Sequence, residues 1–132
     1  MLFRSKLDFA VTKMVIDKGV KAKLRNTIIV YYDNCPDERY DIYVYRGQKC
    51  KAGPTLAKLQ AHRPDHDIVE WFRLDYDDHV NNAVMQWNSF RAIFTDHIRY
   101  KRNGMRWMRL RNWDDDDFKQ ALEAHNADKL NV

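Results

Sequence analysis

The sequence predicts an α+β fold, an antiparallel sheet of three to five strands packed against three main helices in a single layer. Three observations lead there. Leu7, Ala10, Val11, Met14 and Val15 recur at the spacing of one buried helical stripe. Two runs rich in β-branched and aromatic residues, 27–32 and 39–45, flank a stretch of turn chemistry. Near the C-terminus, Asp114 and Asp117 form the start signal of a third long helix.

The elements follow in order. Ser5 caps the first helix, with Asp8 three residues on, and Gly19 is placed to end it. Thr27–Tyr32 reads as a strand, and 33–38 as a turn, because Pro36 has no amide to give a ladder. In the second strand Tyr40, Ile42 and Val44 share one face while Tyr43 and Tyr45 share the other. After Gly47, residues 48–52 read as a short edge strand guarded by Lys49 and Lys51. Pro54 opens a short helix to about Ala61, and Pro64 ends it. The run 68–74 reads as a strand covered on both sides, since Trp71 and Phe72 would point to opposite faces.

From about Asp78 or His79 a long helix buries Val80, Ala83, Val84, Trp87, Phe90, Phe94 and Ile98. The stripe predicts a helix reaching about Lys101, with Gly104 as its C-terminal glycine. The competing reading makes Asn103-Gly104 a two-residue hairpin turn and sets Tyr100 opposite Trp107. A strand from about Met105 to Leu110 follows in either case. In the last helix Trp113 is placed to staple onto Phe118, and Phe118, Ala121, Leu122 and His125 form the inner face. With no internal repeat and no low-complexity linker, the 132 residues read as a single domain.

Composition narrows the function. No apolar run approaches the roughly 18 residues of a membrane span, and two cysteines are too few for a disulfide framework, which suggests a cytoplasmic setting. Net charge is only +4, but it is segregated. Residues 97–113 hold six bases and no acid, while 65–79 hold six acids and one base. Local fields, more than the total, decide which partners approach.

The basic stretch suggests contact with DNA or RNA through Arg99, Lys101, Arg102, Arg106, Arg109 and Arg111, with Tyr100 and Trp107 available for stacking. A second expectation is a protein-interaction module, such as an inhibitor or accessory factor of a nucleic-acid machine of the kind phage encode. It would use the acidic residues Asp114, Asp115 and Asp116, or a face bearing Tyr31, Tyr43 and Tyr45.

An enzyme is a weaker match. Asp65, His66, Asp67, Asp75, Asp77, Asp78 and His79 offer ligands for a divalent metal, but a helix cap and a solvated loop account for them more simply. His62 and His66 have zinc-like spacing, yet Pro64 lies between them, and Cys35 and Cys50 are too far apart for a zinc knuckle. No phosphate-binding glycine loop or nucleophile elbow is present. The expectation is a non-enzymatic binding protein without metal or cofactor.

Overall fold

The computed structural model describes residues 25–76, 83–102 and 106–130. The helix expected over residues 5–19, the start expected at Asp78 and the Asn103-Gly104 turn lie outside them. The described elements are β1 (Asn26–Asp33), β2 (Ile42–Gln48), α1 (Ala52–His62), β3 (Ile68–Tyr76), α2 (Ala83–Ile93), β4 (Ile98–Tyr100), β5 (Trp107–Leu110) and α3 (Asp115–Leu130). The strands form one sheet in the order β3-β1-β2-β5-β4. Every neighbouring pair is antiparallel.

Alternation along β1 and β2 divides the interior. Ile28, Val30, Ile42 and Val44 pack beneath α2 and α3 with Trp87, Phe90, Phe118 and Leu122. Ile29 and Tyr31 face the other way, with Ala52, Leu59, Ile68 and Trp107. A strand buried on both faces needs a nearly continuous apolar run, which Ile28–Tyr31 supplies. The α+β class and the antiparallel sheet follow the expectation. Helix α1, however, lies on the face opposite α2 and α3 instead of joining a single layer with them. Ala52, Leu56 and Leu59, seven positions or fewer apart on one side of α1, carry that contact.

Phe118 sits among rings on the first face, with Trp71, Phe72, Trp87 and Phe90 at centroid distances of 5.9, 6.3, 6.4 and 5.9 Å. The start of α3 is a reciprocal box: the Asp117 amide donates to Asp114 Oδ1 at 2.8 Å and the Asp114 amide to Asp117 Oδ2 at 3.1 Å. Trp113 stacks on His97 at 4.1 Å and packs on Phe94 at 5.3 Å.

Two local expectations are corrected. Residues Lys49–Lys51 form a 3-10 turn leading into α1, not an edge strand. Helix α2 ends at Ile93, and a second 3-10 turn, Thr95–His97, leads into β4. Ile98 explains the ambiguity, since a residue that continues a helical stripe is buried here from a strand. The hairpin is the form adopted, with Ile98 opposite Leu110, Arg99 opposite Arg109 and Tyr100 opposite Met108. Tyr100 therefore lies one residue out of register from the expected Trp107. Because side chains alternate, that single step sends Trp107 to the α1 face and leaves Tyr100 on the α2 face.

Candidate nucleic-acid interface

Strand β4 is the outer edge of the sheet, so the β4–β5 hairpin presents cations on both its faces. On the α2 face, Ile42, Val44 and Arg46 alternate along β2, and Arg46 stands opposite Ile28 of β1. Its Nη1 donates to the Val44 carbonyl at 3.0 Å. Burial pushes the Arg46 pKa down, and the like charges of Arg106 and Arg91 push it further. Arg91 projects from the last turn of α2, its guanidinium carbon 5.8 Å from the centre of the Tyr100 ring. Tyr100 is 39% exposed. Arg46 thus feels the charge of two other guanidinium groups, one of which, Arg91, stands beside an accessible phenol ring.

On the α1 face, Arg99 and Arg109 stand directly opposite across the β4–β5 ladder. Like charges in that position repel. Arg109 reaches over the ring of Tyr40 at 5.2 Å, and its buried Nε has no acceptor among the described residues. Lys101 borders a cleft of about 320 Å³ together with His62, His66 and Trp107. Arg102 and Arg111 are exposed. Among the described residues, Arg99, Lys101, Arg102, Arg106, Arg109 and Arg111 make no ion pair with a carboxylate.

The structure separates the other expected site residues. Trp107 is 1% exposed, with the Arg63 guanidinium 3.6 Å over its ring and Tyr43 at its edge, so it is a core residue and not a stacking platform. Tyr31 is 2% exposed, and Tyr43 and Tyr45 are half-buried beside α1. The tyrosines are therefore not an open docking face. Asp114, Asp115 and Asp116 are exposed at the start of α3, and Asp115 borders a groove with Tyr32, Glu70 and Trp71. Arg46 and Arg91 escaped the sequence reading. Arg46 was legible from its even position in β2, whereas Arg91 joins the cluster only through the way α2 packs.

Of the acid and histidine residues considered for metal chemistry, Asp77, Asp78 and His79 lie outside the described residues, and Asp75 and His66 have separate commitments. Asp75 accepts from the Thr27 hydroxyl at 2.7 Å and pairs with Lys49 at 3.2 Å. His66 donates from Nδ1 to the buried Oδ2 of Asp33 at 2.7 Å, and Arg63 donates to the same oxygen at 2.7 Å. The Cys35 amide donates to the other oxygen at 2.9 Å. Burial raises the pKa of Asp33, but the hydrogen bonds from His66, Cys35 and Arg63 outweigh it and hold the carboxyl below its ordinary value. Among the described residues, no three His, Cys, Asp or Glu side chains converge on a point where a metal ion would sit. Cys35 and Cys50 are free thiols. No described helix is long and apolar enough to cross a membrane. Comparison with protein-family models, curated proteins and solved structures finds no match.

Proposed function

We propose that the protein is a non-enzymatic nucleic-acid-binding protein that contacts its partner through the β4–β5 edge. The observation that carries this reading is like-charge crowding with no carboxylate partner among the described residues. Arg106 and Arg91 both bear on Arg46 on one face, and Arg99 opposes Arg109 on the other. Such an arrangement costs stability by itself, and a polyanion relieves it. Phosphates are suited to it because guanidinium groups bind them through paired N–H donors.

The test is fluorescence anisotropy with labelled DNA and RNA across a salt series. Affinity is expected to fall steeply as salt rises, through release of condensed counterions. The double variant Arg106→Glu with Arg109→Glu is expected to lose binding while melting at or above the wild-type temperature. Salt-insensitive binding, or unchanged affinity in the double variant, would overturn the proposal.

A second reading is a protein contact at the opposite edge of the sheet. It is favoured by β3 being an edge strand of nine residues whose Val69 and Glu70 are exposed near Asp115. A partner that stays bound after nuclease treatment and is lost on Val69→Lys would support that reading over the first.

A further inference from the structure

Between α2 and β4 runs a groove of about 370 Å³ lined by Asn88, Arg91, Ala92, Thr95, Ile98 and Tyr100. From this groove we infer that the nucleic acid bound is single-stranded, with one unstacked base lying against Tyr100 and its flanking phosphates on Arg91, Arg106 and Arg46. The inference rests on the nucleic-acid reading above and specifies the form of the partner.

Four features carry it. The volume falls in the size range of small-molecule sites, roughly 300–1,000 Å³. The groove is therefore matched to a nucleotide and far too small for a duplex. Tyr100 supplies an accessible aromatic face, and every base has a π-face to lay on it. Asn88 and Thr95 put an amide and a hydroxyl on the same wall, where they can meet the edge of a base. Positive charge gathers beside the groove: Arg91 lines it, and the charges of Arg106 and Arg91 both reach Arg46 on the same face of the sheet. Neither Arg46 nor Arg91 pairs with an acid among the described residues; their hydrogen bonds go to the Val44 carbonyl and, at 3.4 Å, to the Asn88 amide oxygen. In a duplex the base faces are occupied by their neighbours, so the ring of Tyr100 would have nothing to stack on. Strand β4 is also only three residues long, too short to lie along a groove of double-stranded DNA as a reading ribbon.

The experiment compares three labelled ligands of equal length on the full chain: an oligothymidine single strand, its duplex with oligoadenosine, and an abasic deoxyribose-phosphate strand. The duplex has the highest charge density, so a purely electrostatic surface would prefer it. The expected result is the reverse, with the base-bearing single strand bound at least about fivefold more tightly than either alternative. Tyr100→Ala is expected to weaken oligothymidine binding at least about fivefold and to leave abasic binding unchanged, while Tyr100→Phe, which keeps the ring, retains affinity. Thermal melting of both variants distinguishes a lost contact from a lost fold. Duplex binding as tight as single-strand binding, or equal affinity for the abasic strand, would overturn the inference and leave polyanion binding standing. Absence of salt-dependent binding to all three would overturn both.

Discussion

The carboxylate of Asp33 and the guanidinium of Arg63 meet at 2.7 Å away from solvent, where the last residue of β1 touches the residue that follows α1. Arg63 also donates to the Tyr40 carbonyl at 3.0 Å, pairs with Glu38 at 3.5 Å and covers Trp107. One side chain thereby fastens the β1–β2 connection, α1 and β5 together. Among the described residues the basic hairpin joins the sheet through two pairs, Ile42 with Met108 and Tyr43 with Trp107, so this fastening positions the proposed interface.

Replacing Asp33 by Asn leaves the Arg63 charge buried without its main partner. Breaking a buried pair in this way costs about 3–5 kcal/mol. Urea unfolding at neutral pH is expected to show a loss of that size. The pH dependence follows from the lowered pKa of Asp33. Its stabilising contribution is complete above the unfolded-state value of about 3.9 and is lost as pH falls through the lower folded value. Wild-type stability should drop on acidification through that window, and the Asn variant should lack that part of the drop. A loss below about 1 kcal/mol would mean that the pair does not fasten the fold.

Trp107 and Tyr100 occupy the same hairpin but should respond differently to truncation. Trp107→Ala empties space between Arg63 and Tyr43 and is expected to cost about 3–5 kcal/mol. Tyr100→Ala removes a side chain at the exposed edge and should change stability by no more than about 0.5 kcal/mol. Chemical denaturation of the two variants side by side checks this. Equal and small effects would restore Trp107 as a surface residue.

The contrast between these two residues marks how far the sequence could be read. Composition and turn residues were enough for the class, for β1, β2 and β3, and for the Asp114 box, because each rests on local periodicity or a cap. The hairpin was legible only as an alternative, since Ile98 satisfies a helical stripe and a strand core equally well. Its register was beyond reach: one residue of slip exchanges the faces of Tyr100 and Trp107, and the choice is made by β5 pairing with β2. The tract of cations was visible in the sequence. Its proximity to Arg46 and Arg91 was not, because it arises between separate elements, β2, α2 and the hairpin, that only the tertiary packing brings together.

Salt dependence offers a way to count phosphate contacts. Each cation that neutralises a phosphate of a single strand adds about 0.7 to the slope of log affinity against log salt. Arg91→Ala and Arg106→Ala should each lower the slope by about that amount, and together by about twice as much. Lys58→Ala, an exposed cation on α1, serves as the comparison and should leave the slope unchanged. Equal effects at all three positions would indicate a diffuse charge response without a defined path for the strand.

Arg106 combines the proposed role with an uncomfortable backbone. Its φ is 60°, in the left-handed region where a side chain's Cβ crowds the following carbonyl, at a cost of about 1–2 kcal/mol. Glycine has no Cβ and occupies that region freely. Strain of this kind persists where the surroundings impose it, and it concentrates at functional positions. Arg106→Gly relieves the strain and also removes a positive charge that disfavours the charged form of Arg46. The variant is therefore expected to melt at or above the wild-type temperature while binding oligothymidine more weakly. Asn tolerates the same conformation better than most residues, so Arg106→Asn should fall between the two in stability and match glycine in lost affinity. A stabilised variant with undiminished binding would show that Arg106 does not contact the strand. A destabilised one would show that its side chain holds the hairpin in place, which the exposed position and the absence of an acidic partner among the described residues argue against.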